Sequence, residues 1–418
     1  MHILFLTENF PPEVNAAASR VYERACYWVR WGHRVTIVTC APNFPTGRLF
    51  EGYRNRWRQV EDVDGIRVVR VKTYMSPNAG TVRRALDFLS FMCMSSIMSL
   101  FEARPDVVVA TSPQFFAAVA GWLVGALRRR PFVFELGDLW PASIVAVGAM
   151  RENVLLRCME RLERFLYRRS AAVVALTHAF KDDLVRRGID PNKIAVVRNG
   201  VDLPRYGPRP RDPQLARTWG LAGKFVIGYI GTLGMAHGLD RALDAADRLR
   251  AYDDIRFLFV GPGAARENLI AEAERRGLDN VVFAPRRPKE RIPDFWALCD
   301  VALVHLKDAP VFASVIPSKL FEAMAMGLPI LLAAPPGEAT RIVGAESAGL
   351  CLPPADPAAL ADAVLRLHGD QPLRKSLAAA GLAAAPRHSR ERQARDMLAV
   401  LQRVVEGRGS EAAEAVLQ

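Results

Sequence analysis

The sequence predicts two α/β domains, each built on a doubly wound parallel sheet with helices on both faces. Three observations support this prediction. Short β-rich apolar runs alternate with helix-length segments throughout the chain. The 418 residues, half of them hydrophobic, exceed one ordinary core and suit two domains of about 200 residues. Four prolines between Pro204 and Pro213 mark a linker near the middle of the chain.

The alternation assigns the elements in order. In the first half, strands are expected at HILFLT, VTIVT, IRVVRV, DVVVAT, FVFEL, AAVVAL and IAVVRN, with helices near 16–31, 84–101, 114–128, 151–170 and 178–187. In the second half, strands are expected at FVIGYI, IRFLFV, VVFA, VALVHL, PILLAA and GLCLP, with helices near 238–251, 264–276, 289–298, 318–326, 357–368 and 371–384. The expected domains are therefore 1–203 and 204–385, with 386–418 a helix and tail that pack back on the first domain.

Cysteine usage and the N-terminal segment indicate a reducing compartment. The six cysteines are scattered without a C-x-x-C pair or a cluster with histidine, so neither a disulfide framework nor a zinc site is expected. The opening MHILFLTENF has no basic region before its short apolar run and carries Glu8, which favours a first strand over a signal peptide. We therefore expect a cytoplasmic protein.

The net charge of +12 is concentrated in the first half of the chain. Residues 1–200 hold 28 Lys and Arg against 18 Asp and Glu. The sequence has no RNP-type aromatic motif, zinc knuckle or helix-turn-helix pattern, so nucleic acid is not an expected partner. An anionic membrane surface or a phosphorylated substrate explains the charge at least as well.

A mostly apolar run from Leu86 to Phe101, charged only at Asp87, falls outside the α/β pattern. It is shorter than the roughly 20 residues that span a bilayer. It fits either a buried helix or a helix lying in a membrane interface, and two arginines at its start suit the second interpretation. Further basic residues at 127–131 and along the helix near 151–170 fit either a solvated surface or the same membrane contact.

The segment VIPSKLFEAMAMGLPIL, residues 315–331, poses a question about Lys319. Pro317 suits the first position of a helix, which puts the lysine in the first turn, where a cation faces the positive end of the helix dipole. An ion pair with Glu322 has the poorer orientation and contributes only about 0.2–0.5 kcal/mol. If a diphosphate binds at this helix N-terminus, the same charge becomes favourable, and Glu322 is placed to accept hydrogen bonds from a ribose.

This segment resembles the nucleotide-sugar-binding segment of the retaining GT-B glycosyltransferases of family 4. Further motifs follow in the family's order: FPPEVNAAASR near the N-terminus, FELGDLWP at 134–141, IAVVRNGVD at 194–202, GYIGTLGMAHGLD at 228–240 and FLFVGPG at 257–263. Together they cover roughly residues 1–385, and the chain looks most like bacterial polysaccharide and O-antigen enzymes of the fucosamine-transferase, WbuB type. The resemblance implies two Rossmann-like domains facing a cleft, a UDP-linked amino sugar as donor and a polyprenyl-diphosphate-linked acceptor.

The resemblance also implies the site residues. The expected catalytic residues are Asp138, Lys319 and Glu322. The expected donor site comprises Gly231, Thr232, Leu233, His237, Arg286, Ser314, Pro317, Ser318, Lys319, Leu320 and Glu322, and the expected acceptor site Asn15, Arg20, Asp138 and Trp140. From the residues alone, Gly231 also fits a tight turn and Asp138 a helix cap. No cofactor or metal is expected, because the only D-x-D, at 62–64, precedes Gly65 and fits a hairpin turn.

The family's pattern is only partly kept. Ser314 stands where the first glutamate of an E-x7-E pair is usual, and Thr232 and His237 stand where arginine and lysine are common. Phosphate neutralisation would then depend on Lys319. The loop from Asn15 to Ala17 replaces a Gly-Gly pair. The serine suggests either a different donor sugar or an inactive relative.

The resemblance predicts a retaining, metal-independent transferase that moves a sugar from UDP to the lipid-linked acceptor on the inner face of the plasma membrane. The departing diphosphate would take the acceptor proton, while the protein supplies positioning and charge stabilisation. Two alternatives remain: a sugar-nucleotide epimerase of the same architecture, and a non-catalytic membrane-docking partner of a polysaccharide assembly complex.

Overall fold

The computed structural model describes residues 1–13, 15–44, 46–76, 81–112, 114–138 and 154–416. The chain forms two compact units, one of residues 1–198 with 393–418 and the other of residues 199–392. Each unit is a sheet covered by helices on both faces, and the predicted pair of α/β domains is confirmed.

The first unit contains an eight-stranded sheet in the order β3-β4-β2-β1-β5-β6-β7-β8. Its strands are β1 (His2–Leu6), β2 (Arg34–Cys40), β3 (Arg58–Val63), β4 (Ile66–Val71), β5 (Val107–Thr111), β6 (Phe132–Leu136), β7 (Ala172–Ala175) and β8 (Ile194–Val196). The sheet is parallel, as expected, except at one edge, where β3 and β4 pair antiparallel. Their turn has positive φ at Asp64 and Gly65, which matches the hairpin predicted there.

Helices cover both faces of this sheet. They are α1 (Ala16–Arg30), α2 (Thr81–Ser99), α3 (Phe115–Arg128), α4 (Val154–Arg169), α5 (His178–Arg186) and the C-terminal helix (Arg390–Val416). On one face, α2 to α5 bury Phe91, Phe115 and Tyr167 against the strands. On the other face, α1 packs with the C-terminal helix, where the Trp28 indole N–H donates to the carbonyl oxygen of Ala394 at 2.9 Å.

The second unit contains a six-stranded, fully parallel sheet in the order β11-β10-β9-β12-β13-β14. Its strands are β9 (Phe225–Ile230), β10 (Ile255–Val260), β11 (Val281–Ala284), β12 (Val301–His305), β13 (Ile330–Ala333) and β14 (Gly349–Leu352). Its helices are α6 (Pro213–Thr218), α7 (Asp240–Arg248), α8 (Arg266–Arg276), α9 (Ile292–Trp296), α10 (Ser318–Met326), α11 (Glu338–Ala345), α12 (Pro357–Gly369) and α13 (Gln371–Ala384). Helices α9, α10 and α11 bury one face of the sheet, and α7, α8 and α12 bury the other.

The strand order of each sheet reverses at one strand. In the second unit, β9 lies between β10 and β12. The chain adds β10 and β11 on one side of β9 and then adds β12, β13 and β14 on the other side. In the first unit, β1 lies in the same way between β2 and β5. Ligands of open α/β sheets bind at the carboxyl ends of the strands at such a reversal. The loops after β9 and β12, and those after β1 and β5, are therefore the places to look for a site.

Helix α2 contains most of the apolar run from Leu86 to Phe101, and its two faces differ. Phe91 is fully buried in the core, whereas the opposite face exposes residues three or four positions apart. We call this face the α2 stripe; it consists of Leu86, Leu89, Cys93 and Ile97. Within the described ranges, no helix combines the length and the hydropathy that crossing a bilayer requires.

Candidate functional site

Helix α10 begins at Ser318, the start of the expected range 318–326. Pro317 is the N-cap residue with extended dihedral angles, and it offers no side-chain hydrogen bond to the first turn. Ser318 is exposed, while Pro317 is buried below it. The first-turn N–H groups therefore begin a helix without the side-chain acceptor that Ser, Thr, Asp or Asn would provide.

Lys319 lies in this first turn with its amine buried. The residue is only 7% exposed, and its Nζ has no hydrogen-bond partner in the described part of the chain. The Nζ lies 3.5 Å from the centroid of the Tyr229 ring, at the end of β9. Burial lowers the pKa of Lys319 to about 7, although the charge of Glu322 opposes this shift. Since a buried amine without an acceptor is unfavourable, an anion bound here would supply what is missing.

Glycines shape the loop beside this amine. Gly231 follows β9 with φ of +139°, and a Cβ built on it would lie 3.2 Å from both Cε and Nζ of Lys319. After β10, Gly261 and Gly263 also have positive φ, and side chains there would overlap the carbonyl oxygens of Gly231 and Leu233. The two loops therefore pack backbone against backbone, which requires residues without Cβ.

Thr232 and Leu233 differ in what they offer this site. Thr232 is exposed, and its carbonyl oxygen accepts a hydrogen bond from the Tyr229 hydroxyl at 2.8 Å. The Leu233 side chain is fully buried in the core, and the Leu233 N–H donates to the Pro262 carbonyl oxygen at 2.7 Å. The assignment of Leu233 to the donor site stays a prediction, and the buried side chain supports the loop.

Two histidines hold the next part of the loop. His305 lies at the end of β12, and its Nδ1 donates a hydrogen bond to the backbone carbonyl oxygen of His237 at 2.7 Å. In return, the Nδ1 of His237 donates to the backbone carbonyl oxygen of His305 at 3.3 Å. A carbonyl only accepts, so each ring must carry its proton on Nδ1. Burial and the charge of Lys319 lower the pKa of His237 to about 4. Both rings are therefore expected to be neutral at pH 7 and to serve as hydrogen-bonding groups.

Glu322 lies one turn after Lys319 on α10. Its Oε2 accepts a hydrogen bond from the indole N–H of the buried Trp296 at 3.1 Å. This contact fixes the carboxylate at the surface of the helix. The Leu320 side chain, by contrast, is fully buried, and its assignment to the donor site stays a prediction.

Ser314 and Arg286 lie in neighbouring loops. Ser314 ends a short 3-10 helix, and its hydroxyl donates to the carbonyl oxygen of Val311 at 2.9 Å. Arg286 is exposed after β11, at the edge of the sheet, while the adjacent Arg287 packs over the rings of Trp219 and Phe295. The structure thus groups Lys319, Gly231, His237 and Glu322 and places Arg286 farther along the same edge.

In the first unit, Asn15 and Arg20 belong to α1. The Asn15 side chain caps the helix by accepting from the Ala18 N–H at 2.9 Å, and its Nδ2 is buried without a hydrogen-bond partner among the described residues. Arg20 is buried, and its Nε lies 3.4 Å from the Glu135 carboxylate, which Arg24 also contacts at 2.7 Å. Arg20 therefore forms part of an internal ion pair.

Asp138 follows β6, as expected. Its backbone N–H donates to the Ser112 hydroxyl at 3.3 Å, which ties it to the loop after β5. Trp140, the fourth residue predicted for the acceptor, lies outside the described residues.

The sequence did not indicate that Tyr229, His305 and Trp296 contact residues of the predicted donor site. All three were assigned to strands or helices of the core, where aromatic residues are common. For Tyr229 the sequence does contain an indication, since an aromatic residue with a polar tip stands two positions before the glycine of the predicted phosphate loop.

Comparison with known sequence families decides the class of protein. Residues 15–200 match the family described as "Glycosyl transferase 4-like domain", and residues 214–383 match the family described as "Glycosyl transferases group 1". The chain is a glycosyltransferase with the GT-B fold. In this glycosyltransferase, the site around Lys319 lies wholly inside the group 1 match, and Asn15, Arg20 and Asp138 lie inside the other.

The glycosyltransferase is similar to known proteins over most of its length. It is 25% identical over 336 residues to WcaI of Escherichia coli strain K12, a protein named for colanic acid biosynthesis. The aligned region covers 78% of this chain and 82% of WcaI. It is 27% identical over 354 residues to a GDP-mannose-dependent alpha-mannosyltransferase of Mycobacterium tuberculosis strain CDC 1551 / Oshkosh, with 84% of each chain covered. The crystal structure of Anabaena HepE in complex with UDP has a TM-score of 0.69 at 21% identity and covers 98% of this chain and 100% of HepE, a likeness of fold.

Proposed function

We propose that the second unit binds the diphosphate of a nucleotide sugar at the N-terminus of α10. The observation that carries the proposal is the Lys319 amine, buried and without a hydrogen-bond acceptor, beside a glycine that leaves room for a ligand. A diphosphate would accept from Nζ and from the first-turn N–H groups at once. It would also satisfy a polar group that otherwise lies buried at a cost of roughly 1–3 kcal/mol.

UDP is the nucleotide we propose, with Glu322 accepting from the ribose hydroxyls and the loop from Arg286 to Pro288 near the uracil. HepE, which shares the fold, has been crystallised with UDP and with UDP-glucose. The mannosyltransferase similar over most of the chain is named for GDP-mannose, so GDP is the second candidate. We further propose that the sugar is an N-acetylated amino or deoxyamino sugar, on the resemblance to fucosamine transferases, with Ser314 near its hydroxyl groups.

The proposed reaction keeps the configuration at the anomeric carbon. The bond from that carbon to the diphosphate oxygen breaks, the bond to the acceptor oxygen forms on the same face, and the departing diphosphate takes the acceptor proton. Lys319 would stabilise the charge that develops on the leaving group, and Asp138 would orient the acceptor hydroxyl. No metal takes part in this proposal, because Lys319 and the N-terminal end of α10 supply the positive charge.

The proposed acceptor is a sugar carried on a polyprenyl diphosphate, in the synthesis of a bacterial surface polysaccharide such as O-antigen. Exposed apolar and basic groups on one face of the first unit support a membrane-bound acceptor. They are the α2 stripe, Leu123 and Leu127 of α3, and the arginines of α4 at 157, 161, 164 and 168. We propose that this face rests on the inner, anionic face of the plasma membrane.

Binding of UDP tests the donor site directly. Replacing Lys319 or Glu322 with alanine should weaken UDP binding at least tenfold, about 1.4 kcal/mol or more, because each removes a charged contact with the nucleotide. Lys375→Ala and Glu274→Ala, which change exposed residues of the same types elsewhere in this unit, should bind UDP normally. Isothermal titration calorimetry measures the affinities, and circular dichroism checks the fold.

Unchanged UDP affinity in both site variants would remove the assignment. A panel of UDP- and GDP-sugars, offered with and without a lipid-linked acceptor, then separates the alternatives. Conversion of a UDP-sugar without any acceptor would favour the epimerase, and no binding of any nucleotide would favour the non-catalytic docking partner. Membership in the glycosyltransferase families favours transfer over both.

A further inference from the structure

We infer that Tyr229 is a positioning residue for Lys319, and that the lysine takes up a proton from solvent when a diphosphate binds beside it. Nucleotide binding would then be coupled to proton uptake. The inference rests on the proposed donor site and concerns how that site is held and charged. Two contacts of the buried Tyr229 side chain support the first part, and the charges around the Lys319 amine support the second.

Tyr229 contacts both parts of the proposed phosphate site. The face of its ring lies under the Lys319 Nζ at 3.5 Å, within the range of a cation–π contact. Its hydroxyl donates to the Thr232 carbonyl oxygen at 2.8 Å and so fixes the loop that begins at Gly231. The ring itself is fully buried and packs near Phe259, with 6.1 Å between the centroids. One immobile side chain thus sets the position of the amine and of the loop together.

The groups around Nζ act on its charge in opposite directions. Burial lowers the pKa of Lys319 to about 7, and Glu322, on the same helix, raises it. The Oε2 of that carboxylate already accepts from Trp296. From β12 and the loop after β9, His305 and His237 lie within the electrostatic reach of the amine, and burial with the lysine charge lowers the pKa of both rings. Charged groups farther out, around His305, are Asp240, Arg241 and Lys307.

The direction of the coupling follows from these charges. An amine with a pKa near 7 is mostly neutral at pH 8. A diphosphate within hydrogen-bond reach favours the charged form and raises the pKa, so that the amine binds a proton from water on complex formation. The affinity for UDP should be level only between about pH 6, above which its terminal phosphate is ionised, and the pKa of the empty site. It should fall as the pH rises above that pKa.

The proton can be counted in the unaltered protein. UDP binding is measured calorimetrically at pH 8 in two buffers that differ in their heat of ionisation, and at this pH the terminal phosphate of UDP is already ionised, since its pKa is about 6. We expect uptake of nearly one proton per UDP. We also expect the affinity to fall by up to tenfold between pH 8 and pH 9. Uridine, which lacks phosphates, should bind without proton uptake.

Variants separate the roles of ring, hydroxyl and amine. Lys319→Arg keeps a permanent charge, so UDP binding by this variant should take up no proton. Tyr229→Phe keeps the ring and should bind UDP within about threefold of the wild type, with proton uptake retained. Tyr229→Leu and Tyr229→Met fill the space without a π face and should lose about tenfold or more in UDP affinity while their affinity for uridine stays the same.

The outcomes distinguish the inference from the function on which it rests. UDP binding without proton uptake at pH 8 would overturn the coupling, and normal UDP affinity in a folded leucine or methionine variant would overturn the role of Tyr229. In either case the donor site would stand. Failure of UDP to bind the wild-type protein at any pH would instead remove the donor site itself. Thermal melting shows whether Tyr229→Leu and Tyr229→Met are folded, and only a folded variant is compared with the wild type.

Discussion

Glu135 shows how a single buried charge is stabilised in the first unit. The carboxylate is fully buried on β6 and contacts Arg24 at 2.7 Å and 3.0 Å and Arg20 at 3.4 Å. Burial alone would raise its pKa, but the two guanidinium groups outweigh this and lower the pKa to about 2. The charged form is therefore the stable one in the folded protein. This geometry explains why Arg20, predicted to bind the acceptor, is engaged inside the unit.

Replacing Glu135 with glutamine should destabilise the protein by about 3–5 kcal/mol at pH 7, because it leaves buried guanidinium charges unpaired. Since the folded pKa lies below the ordinary value, the contribution of Glu135 to stability is complete above about pH 4.5 and is lost as the pH falls toward 2. Urea unfolding at several pH values measures both effects. Glu51→Gln, at an exposed position, is the matched control, and equal midpoints for the two variants at pH 7 would contradict the prediction.

At the residue scale, the sequence located Lys319 in the first turn of a helix, but it did not indicate which side chains surround the amine. Lys319 and Glu322 could be found because a proline and the spacing along one helix fix their positions relative to the helix start. Tyr229 and His305 could not, because their closeness to Lys319 depends on how two strands and a helix pack together. Leu233 and Leu320 were assigned to the donor by motif; their side chains are fully buried, that of Leu233 from the loop after β9 and that of Leu320 from α10.

Helix α2 has two apolar faces, and only one of them is buried. The buried face packs against α3 and the sheet, while the α2 stripe is exposed; Leu86 and Ile97 are 48% and 47% exposed. Three or four exposed apolar side chains in a row along a helix are a typical surface for an interface. The buried-helix interpretation describes the face that carries Phe91, and the interfacial interpretation stays a prediction for the α2 stripe.

Replacing Leu86, Leu89 and Ile97 with serine should reduce binding to vesicles containing anionic phospholipid by about tenfold or more, since it removes apolar area that would enter the membrane interface. Vesicle sedimentation measures the binding. A double variant of exposed apolar residues in the second unit, Tyr252→Ser with Leu382→Ser, is the control. Phe91 is unsuitable for this test because it lies in the core. Full binding by the triple variant would show that the α2 stripe does not contact lipid.

At the element scale, apolar runs predicted every strand of the described chain except β3. Strand β3, with the sequence RQVEDV, has a partly exposed and polar surface and escaped notice, although the turn that follows it was identified. Helix α11 was missed as well, because it is short and its N-cap residue, Gly337, has no side chain to cap the first turn. A pattern of hydrophobicity reports burial, so a polar and partly exposed strand such as β3 leaves little trace in it.

At the scale of the whole molecule, the first unit is built from both ends of the chain. The C-terminal helix buries Ala394, Met397 and Leu401 among residues of α1 and the first sheet. Along the sequence, residues 199–392 of the second unit separate this helix from the elements it packs against. Sequence periodicity predicts a helix here, but the place where its apolar face packs depends on the path of the chain in space.

Replacing Met397 with alanine should destabilise the first unit by about 2–5 kcal/mol, because the side chain is fully buried and a cavity would remain. Gln402→Ala, at an exposed position of the same helix, should have little effect. Differential scanning calorimetry measures the unfolding of both variants. The UDP affinity of Met397→Ala should equal that of the wild type, since the proposed donor site lies in the other unit. A wild-type melting profile for Met397→Ala would show that the helix adds nothing to the core.

The division of the first unit around the second has a consequence for synthesis on the ribosome. Domains usually mature in the order in which they are translated. In this protein the earlier-translated unit must wait for the last helix of the chain, while residues 199–392 leave the exit tunnel as an uninterrupted segment. The nascent chain should therefore complete its second unit before its first unit is finished.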